Sequence, residues 1–541
     1  MASKIYRWLD VNVFSLGNEL RWSYLPPLMV YMAAGISGLT GIVGTFFVKE
    51  YLGLSAAFLA SLGFWANIPW ALKMPLGHLV DLIWRWKSVL VYIGAGVIAI
   101  SLLIMIGLLT NRDAMVAIMP AGTWFVTSVI LGPIGYVIQD TVADAMTVEA
   151  VPSHDEAGEP IDADRLKLMH TTMQTLGRVA IIGGSVLVAG VNLYLFRDIQ
   201  QLADIEKAQV YRDIYRMALV IPLISIAGVM LASFIKKNDT HRQQINTSDL
   251  PQIDQLVEGY SDPTKPNWWI LGGSLAFVIF TLYMGLNDFR FSQEIIFLGS
   301  FAIVTFLIIK LTRELQPDAR LTLVGTAIVI FVFRAIPTQG PGLTWWMIDQ
   351  LKFDQYFFSI LSLIGSVLTL AGMFIFRRFM AQRSIAYIVG ALTIAGTILT
   401  LPFLGMFFGM HEWTAKLTAG IVDARFIALV NTALESPLGQ IAMIPMLAWI
   451  ANSAPDHLKA TFFAVMASFT NLALSLSQLG TKYLNQIYTV TREVRDVSSN
   501  EVLIAADYSD LGELIIASLL VGLLLPFAAI LIVRMSRLKW A

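Results

Sequence analysis

The chain contains repeated stretches of about 20 mostly apolar residues, separated by short polar segments. A helix needs about this length to cross the hydrocarbon core of a bilayer, because each residue advances it by only about 1.5 Å. A helix also satisfies its own backbone hydrogen bonds, which lipid cannot do. The pattern predicts an all-α polytopic membrane protein with fourteen spans. The predicted spans are 24–48, 55–80, 88–109, 116–149, 166–196, 213–235, 268–286, 293–310, 321–338, 355–376, 385–408, 420–451, 458–487 and 512–534.

The composition supports this fold class and excludes several others. Hydrophobic residues make up 56% of the chain and charged residues only 14%, whereas soluble domains carry about 25% charged residues. The net charge of -1 provides no basic surface for nucleic acid. Cysteine is absent, so disulfides and thiolate metal sites are excluded. No ATP-binding G-x-x-x-x-G-K-[ST] loop occurs, and we expect no enzyme activity, no cofactor and no bound metal.

Two parts of the chain resemble each other in their loop segments. Segment 46–52, between the first two spans, resembles 345–351, and the end of the fourth span at 150–152 resembles 453–455. Two six-helix halves therefore repeat in parallel, with two helices inserted between them. This arrangement is typical of the major facilitator fold of secondary transporters. The predicted units are 1–235 for the N-terminal half with an amphipathic N-terminal segment, 236–266 for a cytoplasmic linker, 267–311 for the inserted pair and 320–541 for the C-terminal half.

Basic residues indicate the orientation of the chain in the membrane. With the N-terminus in the cytoplasm, the cytoplasmic segments hold about twice as many Lys and Arg residues as the external ones, as the positive-inside rule requires. An even number of spans returns the C-terminus to the same side. We therefore expect a multi-pass protein of the bacterial inner (plasma) membrane with both termini in the cytoplasm.

The loop after the second span resembles the loop signature of major facilitator proteins. It contains Gly77, which permits close helix packing, and Asp81, which can bind helix ends or guanidinium groups. With Arg85, these residues predict a gating loop rather than a substrate contact. Leu82 and Trp84 depart from the basic residue and the glycine of the signature. An ordinary basic turn is the alternative interpretation.

Four charged residues fall inside the predicted spans of the N-terminal half: Lys73, Asp140, Asp144 and Arg178. Carboxylates within a bilayer are costly unless they face a wet cavity or a partner. Asp140 and Asp144 are four residues apart and share one helix face. Counting residues along the helices places Asp140 at the depth of Arg178, and Lys73 at the depth of Asp144. These are the expected ion pairs, either as a substrate-anion or proton site or as a purely structural link between helices.

The C-terminal half carries two further candidates. Arg334 precedes a segment rich in Pro and Gly, which can interrupt a helix and free backbone groups. Its guanidinium offers five donors to a carboxylate or a planar heterocycle. Glu435 is the acid in the middle of the C-terminal helices. We expect it to be a proton-titrating group or a partner of Arg334.

Several segments resemble the folate–biopterin transporter family. They are Leu52–Ser55, Ile68–Gly77, Gln139–Glu149, Gly439–Pro445 and Ala454–Ala464. The resemblance covers most of both halves, but not the inserted helices. It implies transport of folates or pterins together with protons, with Lys73, Asp140, Asp144 and Arg178 at positions where charge matters for transport. Muropeptide permeases share the aspartates of the fourth span.

We therefore expect a secondary-active transporter of a small organic anion, folate- or pterin-like, that works by alternating access and is coupled to protons. Its partners would be the lipid bilayer, the substrate and protons. Cationic Lys73, Arg178 and Arg334 suit the glutamate tail of a folate. One alternative is a carrier of another solute, such as a muropeptide-like one. Another is a non-transporting protein of the same fold that assembles a membrane complex through 267–311.

Overall fold

The computed structural model describes most of both halves. It covers residues 20–51, 54–71, 73–83, 86–151, 161–246, 291–313, 316–441, 459–495, 502–536 and 538–540, with Met443 and scattered residues of 268–289. The predicted amphipathic segment before residue 20, the linker residues 247–266 and most of the first inserted helix lie outside the described residues.

Helices account for the N-terminal half. They are α1 (Leu25–Ile36), α2 (Gly41–Tyr51), α3 (Ala56–Ala71), α4 (Lys73–Leu82), α5 (Lys87–Thr110), α6 (Arg112–Ile118), α7 (Ala121–Ala150), α8 (Ala163–Leu195), α9 (Asp204–Ala218) and α10 (Val220–Asn246). Short 3₁₀ turns occupy Trp22–Tyr24, Ser37–Thr40 and Ile199–Gln201. The second predicted span contains α3 and α4, and residue 72 between them lies outside the described part of the chain.

The second inserted helix is followed by the C-terminal half. The elements are α11 (Ser292–Thr312), α12 (Pro317–Arg334), α13 (Pro341–Asp349), α14 (Gln355–Ile375), α15 (Arg377–Gln382), α16 (Ile385–Phe407), α17 (Met410–Leu417), α18 (Ala424–Glu435), α19 (Lys459–Ile487) and α20 (Leu511–Met535). A 3₁₀ turn, Ser436–Leu438, follows α18. Between α19 and α20, strands β1 (Val494–Arg495) and β2 (Val502–Ile504) form an antiparallel hairpin.

Local sequence sets several helix boundaries in this half. The side chains of Asp354, Ser384 and Asp423 each accept a hydrogen bond from the backbone N–H three residues later, which satisfies a free donor of the first helical turn. Gly340 adopts a φ of 70° just before Pro341, the first residue of α13. The break between α12 and α13 therefore follows from the residue types at that point.

Nine helical segments within the described residues are long and apolar enough to cross a membrane. The all-α membrane fold is thus as predicted. The number of fourteen spans stays a prediction, because segments such as 442–451 and most of 268–286 lie outside the described part of the chain.

The two most extensive helix contacts between the halves are those of α3 with α19 and of α8 with α14. Asn471 of α19 donates a hydrogen bond to the backbone carbonyl of Trp70 in α3, at 3.2 Å. A Cβ atom at Gly63 would lie 2.6 Å from Oε1 of Gln478, so a larger residue there would have to displace the end of that side chain. This seam brings the polar face of α19 onto the N-terminal half.

The inserted helix α11 is part of the hydrophobic core. Ile296 is fully buried, and the ring of Phe301 lies 5.4 Å from that of Phe331 in α12 and 6.3 Å from that of Phe469 in α19. On its other side, Leu298 remains 62% exposed. An apolar face of this kind suits lipid contact, while the buried face makes α11 integral to the fold.

Candidate functional site

Lys73 lies between the two predicted carboxylates. Its Nζ atom is 2.5 Å from Oδ2 of Asp140 and 2.5 Å from Oδ2 of Asp144. Spacing of four residues places both aspartates on one face of α7, and α4, which contains Lys73, packs against that helix. The predicted pair of Lys73 with Asp144 is present, but Lys73 also holds Asp140. The three residues form what we call the charge triad.

Burial makes the charge triad energetically important. The side chain of Lys73 is 14% exposed and that of Asp140 is 19% exposed, while Asp144 reaches 38%. With both aspartates ionised, one positive charge faces two negative charges, which leaves a net charge of about -1 at membrane depth. One proton neutralises that charge. The triad can therefore hold or release a proton without losing Lys73 as an ion-pair partner.

Tyr31 completes this cluster and was missed from the sequence. Its hydroxyl donates a hydrogen bond to Oδ1 of Asp144, at 2.6 Å. The ring is 5% exposed and lies against α8, where a Cβ atom at Gly177 would come within 2.9 Å of Tyr31 Cε2. Tyr31 could not be singled out from the sequence, because one tyrosine within an apolar span forms no periodic pattern. The hydroxyl now supplies Asp144 with a second donor that Asp140 lacks among its described contacts.

Arg178 is next to Gly177 on α8. It lies within electrostatic range of Asp140 and Tyr31, as the matched depths predicted. No ion pair between Arg178 and Asp140 occurs among the described residues, and Lys73 is the ion-pair partner of that carboxylate. The expected direct pair is therefore wrong in this structure. Arg178 has no carboxylate partner within the part of the chain described.

Arg334 contributes a second guanidinium, at the end of α12. Its Nε donates to the backbone carbonyl of Thr470 at 3.1 Å, and Nη1 lies 3.6 Å from Sδ of Met443. The groups of Arg334 and Arg178 are close enough for their charges to interact. One arginine belongs to each half of the chain.

Glu435 is not a partner of Arg334 in this structure. It ends α18 and has an exposed side chain. Its Oε2 accepts a weak hydrogen bond from Nδ2 of Asn431 at 3.4 Å, one turn earlier. The expectation of an ion pair with Arg334 is therefore wrong, whereas a proton-titrating role for Glu435 stays a prediction.

The predicted gating loop is only partly described. Gly77 lies within α4, and Asp81 is at the penultimate position of the same helix. The side chain of Asp81 and the whole of Arg85 lie outside the described residues. A gating role for these three residues stays a prediction.

One end of the helix bundle is closed by contacts between the halves, and we call it the closed end. Nζ of Lys49, at the end of α2, is 2.5 Å from Oδ1 of Asp349 at the end of α13. Tyr508 donates a hydrogen bond to the same carboxylate. Arg492, which follows α19, donates to the backbone carbonyl of Lys49 at 3.0 Å and lies 4.7 Å from the ring of Trp345.

Further polar contacts join the halves at the closed end. Nε2 of Gln200 donates to Oδ2 of Asp354 at 2.5 Å, and Nε2 of Gln355 donates to the hydroxyl of Tyr211 at 2.6 Å. At the opposite end, Lys87 pairs with Glu149 at 2.7 Å, and this contact stays within the N-terminal half. The described polar contacts thus fasten the two halves together at the closed end.

Two groups at the closed end have shifted pKa values. Burial lowers the pKa of Arg492 to about 10. Burial, together with the bond to Asp349, raises the pKa of Tyr508 above its ordinary value. Both groups therefore stay protonated at neutral pH, and their contacts should not change between pH 5 and about pH 9.

A groove of about 300 Å³ lies between the halves near the closed end. Its lining includes Thr45 and Phe46 of α2 together with Thr344, Phe358 and Ser362 from α13 and α14. The rings of Phe46 and Phe358 meet edge to face at 6.0 Å. Within the described residues, no group of three or more acidic or histidine side chains could hold a metal ion.

Comparison with known proteins agrees with this architecture. The chain matches the BT1 family over residues 200–538. A folate-biopterin transporter of Synechocystis sp. is 22% identical over 479 residues, which cover 88% of this chain and 77% of that protein.

Solved structures show the same fold. A POT family transporter in complex with a thioalcohol conjugated peptide has a TM-score of 0.57 at 12% identity, over 95% of this chain and 96% of that one. The nucleoside transporter NupG has a TM-score of 0.52 at 12% identity, over 94% of this chain and 99% of that one. The predicted major facilitator fold is confirmed. The match to the BT1 family extends over more than half of the chain. The chain therefore belongs to the BT1 family, as the resemblance to folate–biopterin transporters predicted.

Proposed function

We propose that this protein is a secondary-active membrane transporter that carries a small organic anion by alternating access between its two halves. The observation that carries the proposal is the arrangement of Arg178 and Arg334. They come from opposite halves, their charges interact, and neither has a carboxylate partner among the described residues.

Two like charges that face each other in a low-dielectric space repel, and an anion placed between them turns that repulsion into attraction. A guanidinium also binds a carboxylate with two parallel hydrogen bonds. Because Arg178 and Arg334 belong to different halves, one bound anion would contact both and favour their closure around it. This links substrate binding to the change of access.

Lys73 has a different role from the one that its charge alone suggested. Its ammonium is already neutralised by Asp140 and Asp144, at 2.5 Å each. It is therefore not free to bind a substrate anion. We assign the charge triad to proton coupling, since its net charge changes by one unit when a proton binds.

The substrate is proposed to be folate- or pterin-like, on the basis of the relative named a folate-biopterin transporter. The excess of Lys and Arg in the predicted cytoplasmic segments supports an orientation with both termini in the cytoplasm, in which the closed end faces outwards. In this arrangement the anion site opens towards the cytoplasm, and the protein lies in the bacterial inner membrane.

The test is uptake of radiolabelled folate and a labelled pterin into proteoliposomes under an imposed pH gradient. The variants are Arg178→Gln and Arg334→Gln, with Arg320→Gln on the exposed start of α12 as the matched control. A hydrogen bond to a charged group contributes about 1.5–3 kcal/mol. Each site variant should therefore bind the anion more weakly, and its KM should rise roughly 10- to 100-fold. The control should keep the uptake of the unmodified protein.

Two results would count against the proposal. If folded protein takes up none of the anions under either direction of the gradient, a non-transporting role is favoured. If uptake occurs but Arg178→Gln and Arg334→Gln match the control, the anion binds elsewhere.

A further inference from the structure

The inserted helix α11 touches both halves at the seam between α3 and α19. Nε2 of Gln293 donates to Oγ of Ser61 at 2.5 Å and to the backbone carbonyl of Ser61 at 3.3 Å. Oε1 of the same side chain accepts from Nζ of Lys482 at 3.0 Å. A glutamine amide can donate and accept at once. One side chain, 5% exposed, therefore ties α3 of the N-terminal half to α19 of the C-terminal half.

The contacts of α11 with the C-terminal half are more extensive. Glu294 accepts hydrogen bonds from Lys482 at 3.3 Å and from Tyr483. The ring of Phe301 adds the aromatic contacts with α12 and α19 described above. If the halves separate, α11 should therefore stay with the C-terminal half, and its bond to Ser61 should break.

The position of this contact gives it a role in opening. Ser61 is in the second turn of α3, and that helix begins with Ala56, which is buried beside Trp345 at the closed end. Lys482 is near the end of α19, ten residues before Arg492. Alternating access requires α3 and α19 to separate at this end.

We infer that α11 is a clasp that holds the closed end shut through the hydrogen bonds from Gln293 to Ser61. The inference rests on the proposed alternating access. It gives the inserted segment a regulatory role: the strength of the clasp sets how often the closed end opens. This role needs no partner protein.

The natural absence of cysteine allows a direct test with a single introduced thiol. Thr45→Cys places a reporter in the groove between the halves, and Asp113→Cys on exposed α6 reports which side of the membrane this end faces. The reaction rate of the groove thiol with an impermeant maleimide reports how accessible the groove is, and opening of the closed end increases that accessibility. The rate is compared in Gln293→Met, Ser61→Ala and the control Ser300→Ala, whose hydroxyl bonds within α11.

Loss of the clasp should raise the reaction rate of the groove thiol about 2- to 12-fold in both Gln293→Met and Ser61→Ala, the equivalent of about one hydrogen bond. Ser300→Ala should leave it unchanged. A measurable rate that is equal in all variants, or equally raised in the control, overturns the clasp. If Gln293→Met does not fold, Ser61→Ala decides alone.

The reporters separate this inference from the proposed function. If Asp113→Cys reacts only from the cytoplasmic side, the proposed orientation is wrong, and the same comparison in inside-out vesicles still decides the clasp. If the groove thiol never reacts from either side while Asp113→Cys does, the closed end does not open, and both proposals are overturned.

Discussion

Replacing Lys73 should destabilise the protein more than any single change of its two partners. Lys73→Met leaves Asp140 and Asp144 ionised on adjacent turns of α7, with no ion-pair partner among the described residues. Removing one partner of a buried ion pair typically costs about 3–5 kcal/mol. Lys73 is 14% exposed and serves two carboxylates, so we expect a loss of folding free energy near the upper end of that range, partly relieved by proton uptake.

Asp140→Asn has a much smaller expected effect. It removes a charge-assisted hydrogen bond, which contributes about 1.5–3 kcal/mol. It also removes the repulsion between Asp140 and Asp144 and leaves a balanced Lys73–Asp144 pair. We therefore expect a net loss of about 0–2 kcal/mol. The triple change Lys73→Met, Asp140→Asn, Asp144→Asn leaves no charge and should recover most of what Lys73→Met loses.

The assay is thermal unfolding of purified protein in detergent. Lys236→Met is the matched control, because its ion pair with Glu149 spans 3.4 Å and its side chain is 75% exposed. Exposed pairs contribute only about 0–1 kcal/mol. The reasoning fails if Lys73→Met unfolds at the same temperature as Lys236→Met. It fails equally if the triple variant is no more stable than Lys73→Met.

Three further outcomes are expected. Tyr31→Phe should keep the fold and lose about 1.5–3 kcal/mol of stability, since it removes one hydrogen bond to a carboxylate, and an unchanged unfolding temperature would contradict this. Gly177→Ala should lower the folding free energy by about 1–3 kcal/mol, because the new methyl group displaces the ring of Tyr31. The control Gly183→Ala, which has open space around it, should leave the folding free energy unchanged. Equal unfolding temperatures of the two variants would contradict this prediction. Asp349→Asn should raise the reaction rate of the groove thiol reporter, because it weakens the ion pair with Lys49, and an unchanged rate would mean that this pair does not hold the closed end.

The fold and part of the site followed from the sequence because helical geometry fixes them. Asp140 and Asp144 had to share a face of α7, and the length of the apolar runs required membrane helices. The depth of a charge along a helix could also be counted. That was enough to pair Lys73 with Asp144, which the structure contains.

The remaining contacts depend on how each helix is rotated and where it bends, which depth does not reveal. Lys73 reaches both aspartates, and Arg178 forms no ion pair with Asp140 among the described residues. Glu435 and Arg334 lie on helices that do not bring them together. The clasp of α11 could not be predicted because it joins residues more than two hundred positions apart in the sequence.

The central claim is that one anion is held by two arginines from opposite halves. A double-mutant cycle on the folate Kd, measured by calorimetry for Arg178→Gln, Arg334→Gln and the double variant, tests it most directly. If both guanidiniums bind one anion, the two losses should be coupled, and the loss in the double variant should differ from their sum by about 0.5–3 kcal/mol. Losses that add within about 0.3 kcal/mol would mean that the two arginines do not share a ligand, and would contradict the account.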